Sequence, residues 1–265
     1  MKRSKTLSPV ASNGMSTSVV RAFSILDVLA SKGKDGASLT EIAEHLRVSK
    51  STAHRYLTTL ERLGTVEHDE RDRFHLGIKL VELAGVILRN NDLRHQSEAI
   101  LNELAVQTQE TIHLGVPSET EVVYIAKIDS SHSIQMRSSI GGRVPMHCTA
   151  LGKAILAYAP STLVERVIHQ GLTRRTPRTI TSPETLRAEL ERVRAQGFSV
   201  DLEENEAGVC CVGAPVFNHD GKVIGAISIS GPAQRLVYER CIELGPLVRE
   251  AARRVSRRMG YSANS

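Results

Sequence analysis

Hydroxyl-bearing and basic side chains crowd a short stretch of the sequence around residue 50, and this combination suits contacts with nucleic acid. Serine and threonine hydroxyls donate to phosphate oxygens, and lysine or arginine pairs with phosphate or with the O6 and N7 acceptors of guanine. Two more arginines follow shortly after. The residues that we predict to contact DNA are Ser49, Lys50, Ser51, Thr52, His54, Arg55, Thr58, Arg71 and Arg73.

Two capped helices would position most of these residues. Ser38 and Glu41, three residues apart, form a capping box at the start of one helix. After a two-residue turn, Ser49 caps a second helix over residues 50–63, and Gly64 stands where a left-handed C-terminal cap is needed. A helix that enters the major groove by its N-terminus brings its first turns against the bases.

A further helix and a hairpin complete this region. Apolar residues spaced by three and four over 19–31 predict a preceding helix, and two short alternating segments around the polar run 69–72 predict a small hairpin. Three helices followed by a hairpin make a winged helix-turn-helix. The alternative is an ordinary solvated helix face, but the caps, the turn and the basic hairpin together favour DNA binding.

Charge supports this assignment only weakly. The formal net charge is +5, which favours an anionic partner. Residues 1–80 hold 13 Lys and Arg against 9 Asp and Glu, whereas the other 185 residues hold 21 against 20. The basic excess is therefore N-terminal, although a solvated basic surface would look the same.

Composition argues against several other classes of protein. Aromatic residues make up 3% with no Trp, which disfavours a stacking platform for single strands. No run of 18 apolar residues exists and the N-terminus lacks the apolar core of a secretion signal, so we expect a cytoplasmic protein without a membrane partner. The four cysteines include no CxxC pair, so we expect no disulfide framework.

The remainder of the chain predicts an α+β protein with four regions. We expect a flexible arm over 1–17, the winged helix-turn-helix domain over 18–77, a linker helix over 78–91 and a larger mixed α/β domain over 92–265. The linker is apolar nearly all round and must be buried by something, which a dimer would provide.

Beyond residue 110 the pattern changes to segments typical of strands, with helices between them. We predict a turn at Pro117-Ser118. The predicted strands are Thr111–Val116, Glu121–Asp129, Ser133–Ser138, Phe198–Leu202, Val209–Phe217 and Lys222–Ser230. The predicted helices are Leu93–Gln109, Ala150–Tyr158, Ser161–Gln170, Pro183–Gln196 and Arg235–Met259.

Several long motifs resemble the IclR family of bacterial transcriptional regulators. They are LTEIAEHLRVSKSTAHRYLTTLERL from residue 39, RVPMHCTALGKAILA from residue 143 and DLEENEAGVCCVGAPVFNHDGKVIGAISISGP from residue 201. The segments ETIHLG, VVYIAKIDS and RTITS further resemble the KdgR branch, which responds to 2-keto-3-deoxygluconate. The resemblance implies a C-terminal GAF-like effector-binding domain, a homodimer or homotetramer, and palindromic double-stranded DNA operators.

The resemblance also implies an effector site for a small organic acid, with no cofactor. Backbone amides at the start of a helix would hold the carboxylate. The matching positions are Thr149, Ala150, Asp201, Cys211, Ser228 and Ser230, with Met146 and Val209 as weaker candidates for an apolar wall. Ser228 and Ser230 are two residues apart on a strand, so both hydroxyls point to one face.

Other interpretations stay open from the sequence. Cys211 in an apolar strand also suits a plain buried residue, and Asp201 also suits an exposed strand end. The pair His147-Cys148 lacks the spacing of a metal site. No base is identified for a nucleophilic cysteine, so we assign no catalytic residue. We predict a ligand-responsive transcriptional regulator, with repression as the family's commoner mode. The alternatives are an enzyme on a GAF-like scaffold with the N-terminal helices as a dimerisation module, and an effector-blind nucleoid protein.

Overall fold

A computed structural model of the chain describes residues 16–89, 92–132 and 136–262. The chain divides into two compact units, one ending at residue 90 and the other starting at residue 91. Most of the predicted arm lies outside the described residues, but Thr17 already begins the first helix.

The first unit is a three-helix domain followed by a two-stranded hairpin. Its elements are α1 (Thr17–Lys32), α2 (Leu39–Leu46), α3 (Lys50–Arg62), β1 (Val66–His68), β2 (Phe74–Leu76) and α4 (Lys79–Arg89). The capping box at Ser38 is formed in both directions. Arg47 ends α2 with φ 53°, a left-handed conformation that allows the chain to turn sharply into α3. Side chains of all three helices and the hairpin share one apolar core, centred on Ile25, Ile42 and Leu57.

The second unit contains a six-stranded sheet with helices on both faces. Its helices are α5 (Asp92–Thr108), α6 (Ala150–Tyr158), α7 (Ser161–Gln170), α8 (Pro183–Gln196) and α9 (Tyr238–Arg258). Its strands are β3 (Thr111–Ser118), β4 (Glu121–Ile128), β5 (Arg143–Pro145), β6 (Ser199–Leu202), β7 (Val209–Phe217) and β8 (Val223–Pro232). The strand order is β5-β4-β3-β8-β7-β6, and each pairing among the described strands is antiparallel.

The two faces of this sheet differ in character. Val200, Val212, Ile229 and Ile112 lie in one cross-strand row and pack against α5 and α9. The opposite face is covered by α6, α7 and α8, which share a second apolar cluster that includes Val122 and Ala226. Part of that second face is polar and still buried, and this polar part carries the effector candidates.

Two sequence predictions in this unit need correction. Pro117 and Ser118 do not form a turn: they pair with Val122 and Glu121, and the hairpin turns one residue later, where Glu119 has φ 56°. A proline without an N–H is tolerated at position 117 because β3 pairs with β8 only as far as Gly115, so one edge of β3 is unpaired there.

The predicted strand Ser133–Ser138 is also wrong where the structure describes it. Residues 136–138 form no strand, and residues 133–135 lie outside the described residues. The strand next to β4 is the short β5, which the sequence did not predict. Only three residue pairs hold it, too few for an alternating pattern to be recognised.

Candidate DNA-recognition and effector sites

Helix α3 buries one side and exposes the other. Ala53, Leu57 and Leu60 are buried in the core of the first unit. The predicted contact residues lie on the opposite side, so they are presented together to solvent. Four of them are exposed: Lys50, Ser51, His54 and Arg55. Thr52 and Thr58 are half-buried.

The N-terminus of α3 gathers three hydroxyls. The Ser49 hydroxyl accepts from the amide of Thr52 at 3.2 Å and lies 2.9 Å from the hydroxyls of both Ser51 and Thr52. Ser49 therefore caps the helix. Ser51 and Thr52 stand beside the first amides of the helix, which have no partner within it and attract phosphate.

The two arginines of the hairpin have different environments. Arg71 is exposed at the tip. Arg73 folds back on its own domain: its guanidinium donates to the carbonyls of Asp35 and Gly36 at 3.0 and 2.9 Å and pairs with Glu41 at 3.1 Å. Arg73 thus has a structural role at the base of the hairpin, and its contact with DNA stays a prediction.

Strand register brings four of the effector candidates together. Asp201, Cys211 and Ser230 are cross-strand neighbours on β6, β7 and β8, and Ser228 lies in the next row of the same face beside Gly213. All four belong to one polar patch, in which Asp201, Ser228 and Ser230 are each 4% exposed or less and Cys211 is half-buried. We refer to these four side chains as the polar floor.

Helix α6 starts directly above this floor. The Ser199 hydroxyl donates to the carbonyl of Ala150 at 2.5 Å, and a Cβ on Gly213 would come within 3.0 Å of the same residue. Glycine at 213 therefore lets the helix start approach the sheet. Thr149 caps α6 by accepting from the amide of Gly152 at 3.1 Å. The first amides of α6 remain as donors beside the floor.

Burial controls the protonation of the floor. Burial raises the pKa of Asp201 to about 7, although the nearby Lys153 ammonium opposes the shift. Its carboxylate accepts from the amide of Glu204 at 2.7 Å. Burial and the charge of Asp201 raise the pKa of the Cys211 thiol well above its usual range. The thiol is therefore neutral and a weak donor rather than a nucleophile.

The two weaker candidates differ from each other. Val209 precedes Cys211 by two residues on β7 and so shares its face of the sheet. Met146 is fully buried within the apolar cluster of α6, α7 and α8. Its main chain packs so closely on Gly152 that a Cβ there would come within 2.2 Å of the Met146 Cα.

The structure adds two polar features that the sequence analysis did not single out. Lys153 on α6 is fully buried and pairs with Glu189, at 3.2 Å, and with Glu204. Burial works to lower the pKa of Lys153, but the two carboxylates outweigh it and raise that pKa. A lone lysine in the apolar run ALGKAILA was the available signal. This ion pair ties α6 to the loop that follows Asp201.

The second feature is an imidazole at the end of the floor. His113 on β3 is the cross-strand neighbour of Ser228, and its Nδ1 lies 3.3 Å from the Ser230 hydroxyl. Its ring packs against that of Tyr124, with 4.6 Å between centroids and 31° between the ring planes. A lone histidine in the apolar strand TIHLGV was its only signal in the sequence.

Two negative findings apply to the described residues. They contain no group of three or more His, Cys, Asp or Glu side chains placed to hold a metal ion. No helix within them has the length and apolarity needed to cross a membrane.

The first unit has the fold of a winged helix-turn-helix domain, and the second is a mixed α/β unit with a buried polar face. Two family models match the chain: "IclR helix-turn-helix domain" over residues 18–70 and "Bacterial transcriptional regulator IclR C-terminal" over residues 86–257. The chain belongs to the IclR family of transcriptional regulators.

Individual relatives agree with this assignment. The HTH-type transcriptional regulator KdgR of Escherichia coli is 41% identical over 248 residues, which cover 92% of this chain and 93% of that protein. The crystal structure of Thermotoga maritima IclR matches with a TM-score of 0.76 at 38% identity and covers 92% of this chain and 98% of that one. An IclR homolog from Microbacterium hydrocarbonoxydans complexed with 4-hydroxybenzoate matches with a TM-score of 0.80 at 25% identity, covering 93% and 100%.

These comparisons confirm the predicted fold class and the KdgR-like branch. The relatives and structural neighbours are transcriptional regulators, so the chain is a DNA-binding regulator and the enzyme alternative is wrong.

Proposed function

We propose that this chain represses a sugar-acid catabolic operon and is released from DNA by a six-carbon keto acid such as 2-keto-3-deoxygluconate. The observation that carries the proposal is the buried polar floor beneath the start of α6. If these positions served only the packing of the core, apolar residues would be expected there, since each buried polar group costs free energy unless it has a hydrogen-bond partner. Similarity to KdgR supports a sugar acid as the occupant.

The chemistry of the floor suits such a ligand. The first amides of α6 are placed to bind the effector carboxylate, as at other helix N-termini. Asp201 and Ser230 offer oxygen acceptors for hydroxyl groups, and the neutral Cys211 thiol is a small adaptable wall. Val209 and Met146 would add apolar contacts.

On the DNA side, we propose that α3 enters the major groove of a palindromic operator. Lys50, Ser51, His54, Arg55 and Thr58 would face the bases and phosphates. Thr52 and the helix start would bind phosphate with Ser49 as the cap, and Arg71 would contact the backbone from the hairpin.

A palindrome requires two copies of the chain, and the first unit offers surface for a partner. Phe23 on α1 is 64% exposed, and Val81 on α4 is also 64% exposed. Ile78, Leu83 and Val86 are other large apolar residues exposed on or beside α4. Isolated apolar side chains are common on surfaces, but four exposed on or beside one helix favour an interaction site. We propose that a second copy of this chain covers it, in a homodimer or a pair of dimers.

The residue limits and location follow from the same proposal. The DNA-binding domain would extend over 18–77, the linker helix over 78–91 and the effector domain over 92–265. The protein would act in the cytoplasm, where operator and metabolite meet. Effector binding would change the placement of the two DNA-binding domains, which requires unequal affinity for the DNA-competent and incompetent states.

The test is a titration of labelled DNA from the gene's own upstream region, followed by fluorescence anisotropy with and without 2-keto-3-deoxygluconate. We expect specific binding that the sugar acid weakens, and no such effect in Asp201→Ala, which should still bind DNA. Equal affinity for scrambled DNA would identify an effector-blind nucleoid protein. A normal response of Asp201→Ala would show that the effector binds elsewhere.

A further inference from the structure

A tyrosine of β4 lies on the face of the sheet that carries the polar floor. Tyr124 pairs across the sheet with Gly115, which follows His113 by two residues on β3 and so shares its face. The Tyr124 ring packs against the imidazole of His113, with 4.6 Å between the ring centroids. His113 is in turn the cross-strand neighbour of Ser228 and lies 3.3 Å from the Ser230 hydroxyl. The tyrosine ring therefore borders the floor on the side of β3 and β4.

Glycines flank Tyr124 on both sides. Gly115 has no side chain, and a Cβ there would come within 3.1 Å of the Leu151 side chain of α6. On the other side, the Tyr124 amide donates to the carbonyl of Gly142 at 3.0 Å, and the Tyr124 carbonyl accepts from the amide of Gly141 at 2.8 Å. A Cβ on Gly142 would lie 3.5 Å from the tyrosine ring. The backbone of Tyr124 is thus held on both sides, while neither neighbour places a side chain against its ring.

The phenol hydroxyl is the part of this side chain that no protein group holds. Within the ranges that the structure describes, nothing forms a hydrogen bond with it, and the only fully enclosed side-chain polar atom without a partner is Oε2 of Glu204. The Tyr124 hydroxyl is therefore accessible to solvent or to a ligand. Burial, followed by the Cys211 thiol and the Asp201 carboxylate, raises the pKa of Tyr124 well above its usual range. The phenol keeps its proton, so it can both donate and accept a hydrogen bond.

The start of α6 and Tyr124 stand on opposite sides of the floor. Residue Ala150 of α6 lies over Gly213 of β7, and Tyr124 rises from β4, three strand positions away in the order β4-β3-β8-β7. Neighbouring strands are about 4.8 Å apart, so β7 and β4 are separated by about 14 Å. A short acid bound at the α6 amides would end well before Tyr124, whereas the tail of a six-carbon acid extends toward it.

We propose that Tyr124 is an effector-contact residue that selects long, hydroxylated acids, because its phenol forms a hydrogen bond with a hydroxyl group in the tail of the ligand. This inference rests on the proposed effector site and adds a contact to it. A ligand hydroxyl both donates and accepts, so it matches the phenol in either direction. An apolar tail offers no partner, and the phenol would then lose its hydrogen bond with water when the ligand binds.

The test compares two six-carbon keto acids that differ in their hydroxyl groups. Binding of 2-keto-3-deoxygluconate and of 2-oxohexanoate, which has no hydroxyls, is measured by calorimetry on the full chain. Tyr124→Phe removes the hydroxyl and keeps a ring beside His113. We expect it to weaken the sugar acid about three- to tenfold, as for one neutral hydrogen bond, and to change 2-oxohexanoate by less than about twofold. An equal loss for the two acids, or no loss for the sugar acid, would overturn the proposal.

Tyr158 is the matched control, because it is also a half-buried tyrosine of this unit but its hydroxyl already has a protein partner. That hydroxyl donates to the carbonyl of Arg194 at 3.3 Å, and the ring packs edge-on against Phe217 with 5.1 Å between centroids. Tyr158→Phe should leave the affinities for both acids at wild-type values. A loss of sugar-acid affinity as large as that in Tyr124→Phe would show a general loosening of the unit and would overturn the proposal.

A measurement without ligand keeps this inference distinct from the proposed function. In ligand-free protein with carbon-13-labelled tyrosine rings, the Tyr124 resonance, assigned with Tyr124→Phe, should move between about pH 5 and about pH 8, because burial raises the pKa of Asp201 to about 7. It should stay fixed in Asp201→Asn. Neither the His113 imidazole, whose pKa burial lowers to about 3, nor the Cys211 thiol, whose pKa is raised, titrates in this range.

The outcomes of this measurement separate the two proposals. A Tyr124 resonance that does not respond to Asp201 would place the phenol away from the floor and overturn the inference, whatever the effector is. If the resonance responds and the sugar acid binds without the selectivity, the proposed function stands and the inference is wrong. If it responds but the wild-type chain binds neither acid, the proposed effector is wrong and the selectivity assigned to Tyr124 falls with it.

Discussion

The two candidate sites of this protein are built in opposite ways. The predicted DNA-contact residues lie on the exposed side of α3, where Lys50, Ser51 and Arg55 contribute little to the core beneath them. The proposed effector residues lie on a buried face of the sheet, where Asp201 and Ser230 are 2% and 4% exposed. A side chain in the first site is constrained mainly by its contact with DNA. A side chain in the second site must bind the effector and also be compatible with a stable folded core.

This difference predicts that substitutions at the two sites have different effects on stability. Substitutions on α3 should change affinity for DNA without changing stability, because surface changes seldom exceed about 0.5 kcal/mol. Substitutions at the polar floor and its ion pairs should change stability and ligand response together.

The largest effect is expected from breaking the buried ion pairs under α6. In Lys153→Met, the carboxylates of Glu189 and Glu204 lose their shared ammonium, and an uncompensated buried charge costs about 3–5 kcal/mol. Urea unfolding followed by tyrosine fluorescence measures this, since four of the five tyrosines lie in the second unit. Arg187→Met is the control: Arg187 and Glu165 pair at 2.9 Å but are about half exposed, and such pairs contribute about 0–1 kcal/mol. Similar losses in both variants would contradict the distinction between buried and exposed charge.

The next effect should be a gain in stability at the cost of ligand response. The folded state raises the pKa of Asp201 to about 7, so the unfolded chain loses this proton at a lower pH than the folded chain does. The free energy of unfolding of the wild-type protein therefore falls as the pH rises from about 4 to about 7. Asp201→Asn keeps an oxygen that accepts from Glu204 but has no charge to bury.

The stability difference between Asp201→Asn and wild type should therefore be near zero below about pH 4 and reach a plateau above about pH 7, at most about 4 kcal/mol. Thermal unfolding at a series of pH values measures it, and calorimetry should show weaker effector binding. An equal difference at pH 5 and pH 8 would show that Asp201 does not titrate in this range.

The contrast between the sites also explains how much the sequence could predict. The first unit follows from local signals: the Ser38 and Ser49 caps, the apolar spacing of Ala53, Leu57 and Leu60, and the two short alternating segments of the hairpin. Helical spacing alone tells which residues of α3 point outward, so the exposed residues could be predicted without knowledge of any other element.

The floor depends on register between strands that are far apart in sequence. Ser228 and Ser230 could be placed on one face from their spacing, but the alignment of Asp201 with Cys211 and of His113 with Ser228 is set by pairing across the sheet. The family resemblance supplied the positions of Asp201 and Cys211, and no local pattern pointed to His113 or to the partners of Lys153. Long-range pairing, not composition, determines these contacts.

A smaller effect should follow from Arg55→Ala. If Arg55 contacts a base edge, operator binding should weaken by about 1–3 kcal/mol and specificity at that base pair should relax. Thermal stability and effector affinity should stay at wild-type values. Arg62→Ala, at the last residue of the same helix and also exposed, is the matched control and should change operator affinity much less. If the two variants lose affinity equally, α3 binds DNA only through its overall charge.

The smallest effect concerns the hairpin, where one arginine is exposed and its near neighbour is bound to its own domain. The two therefore differ in the same way as the two candidate sites. Arg71 is exposed, so Arg71→Ala should weaken binding to all DNA sequences alike and reduce the slope of log affinity against log salt by about 1, with no change in stability. Arg73 holds the carbonyls of Asp35 and Gly36, so Arg73→Ala should lower the stability of the first unit by about 1 kcal/mol. Salt-dependent anisotropy and thermal unfolding of both variants measure the two quantities. A lower salt slope in Arg73→Ala at unchanged stability would mean that this guanidinium leaves its internal partners for phosphate, and that exposure in the free protein does not decide which arginine binds DNA.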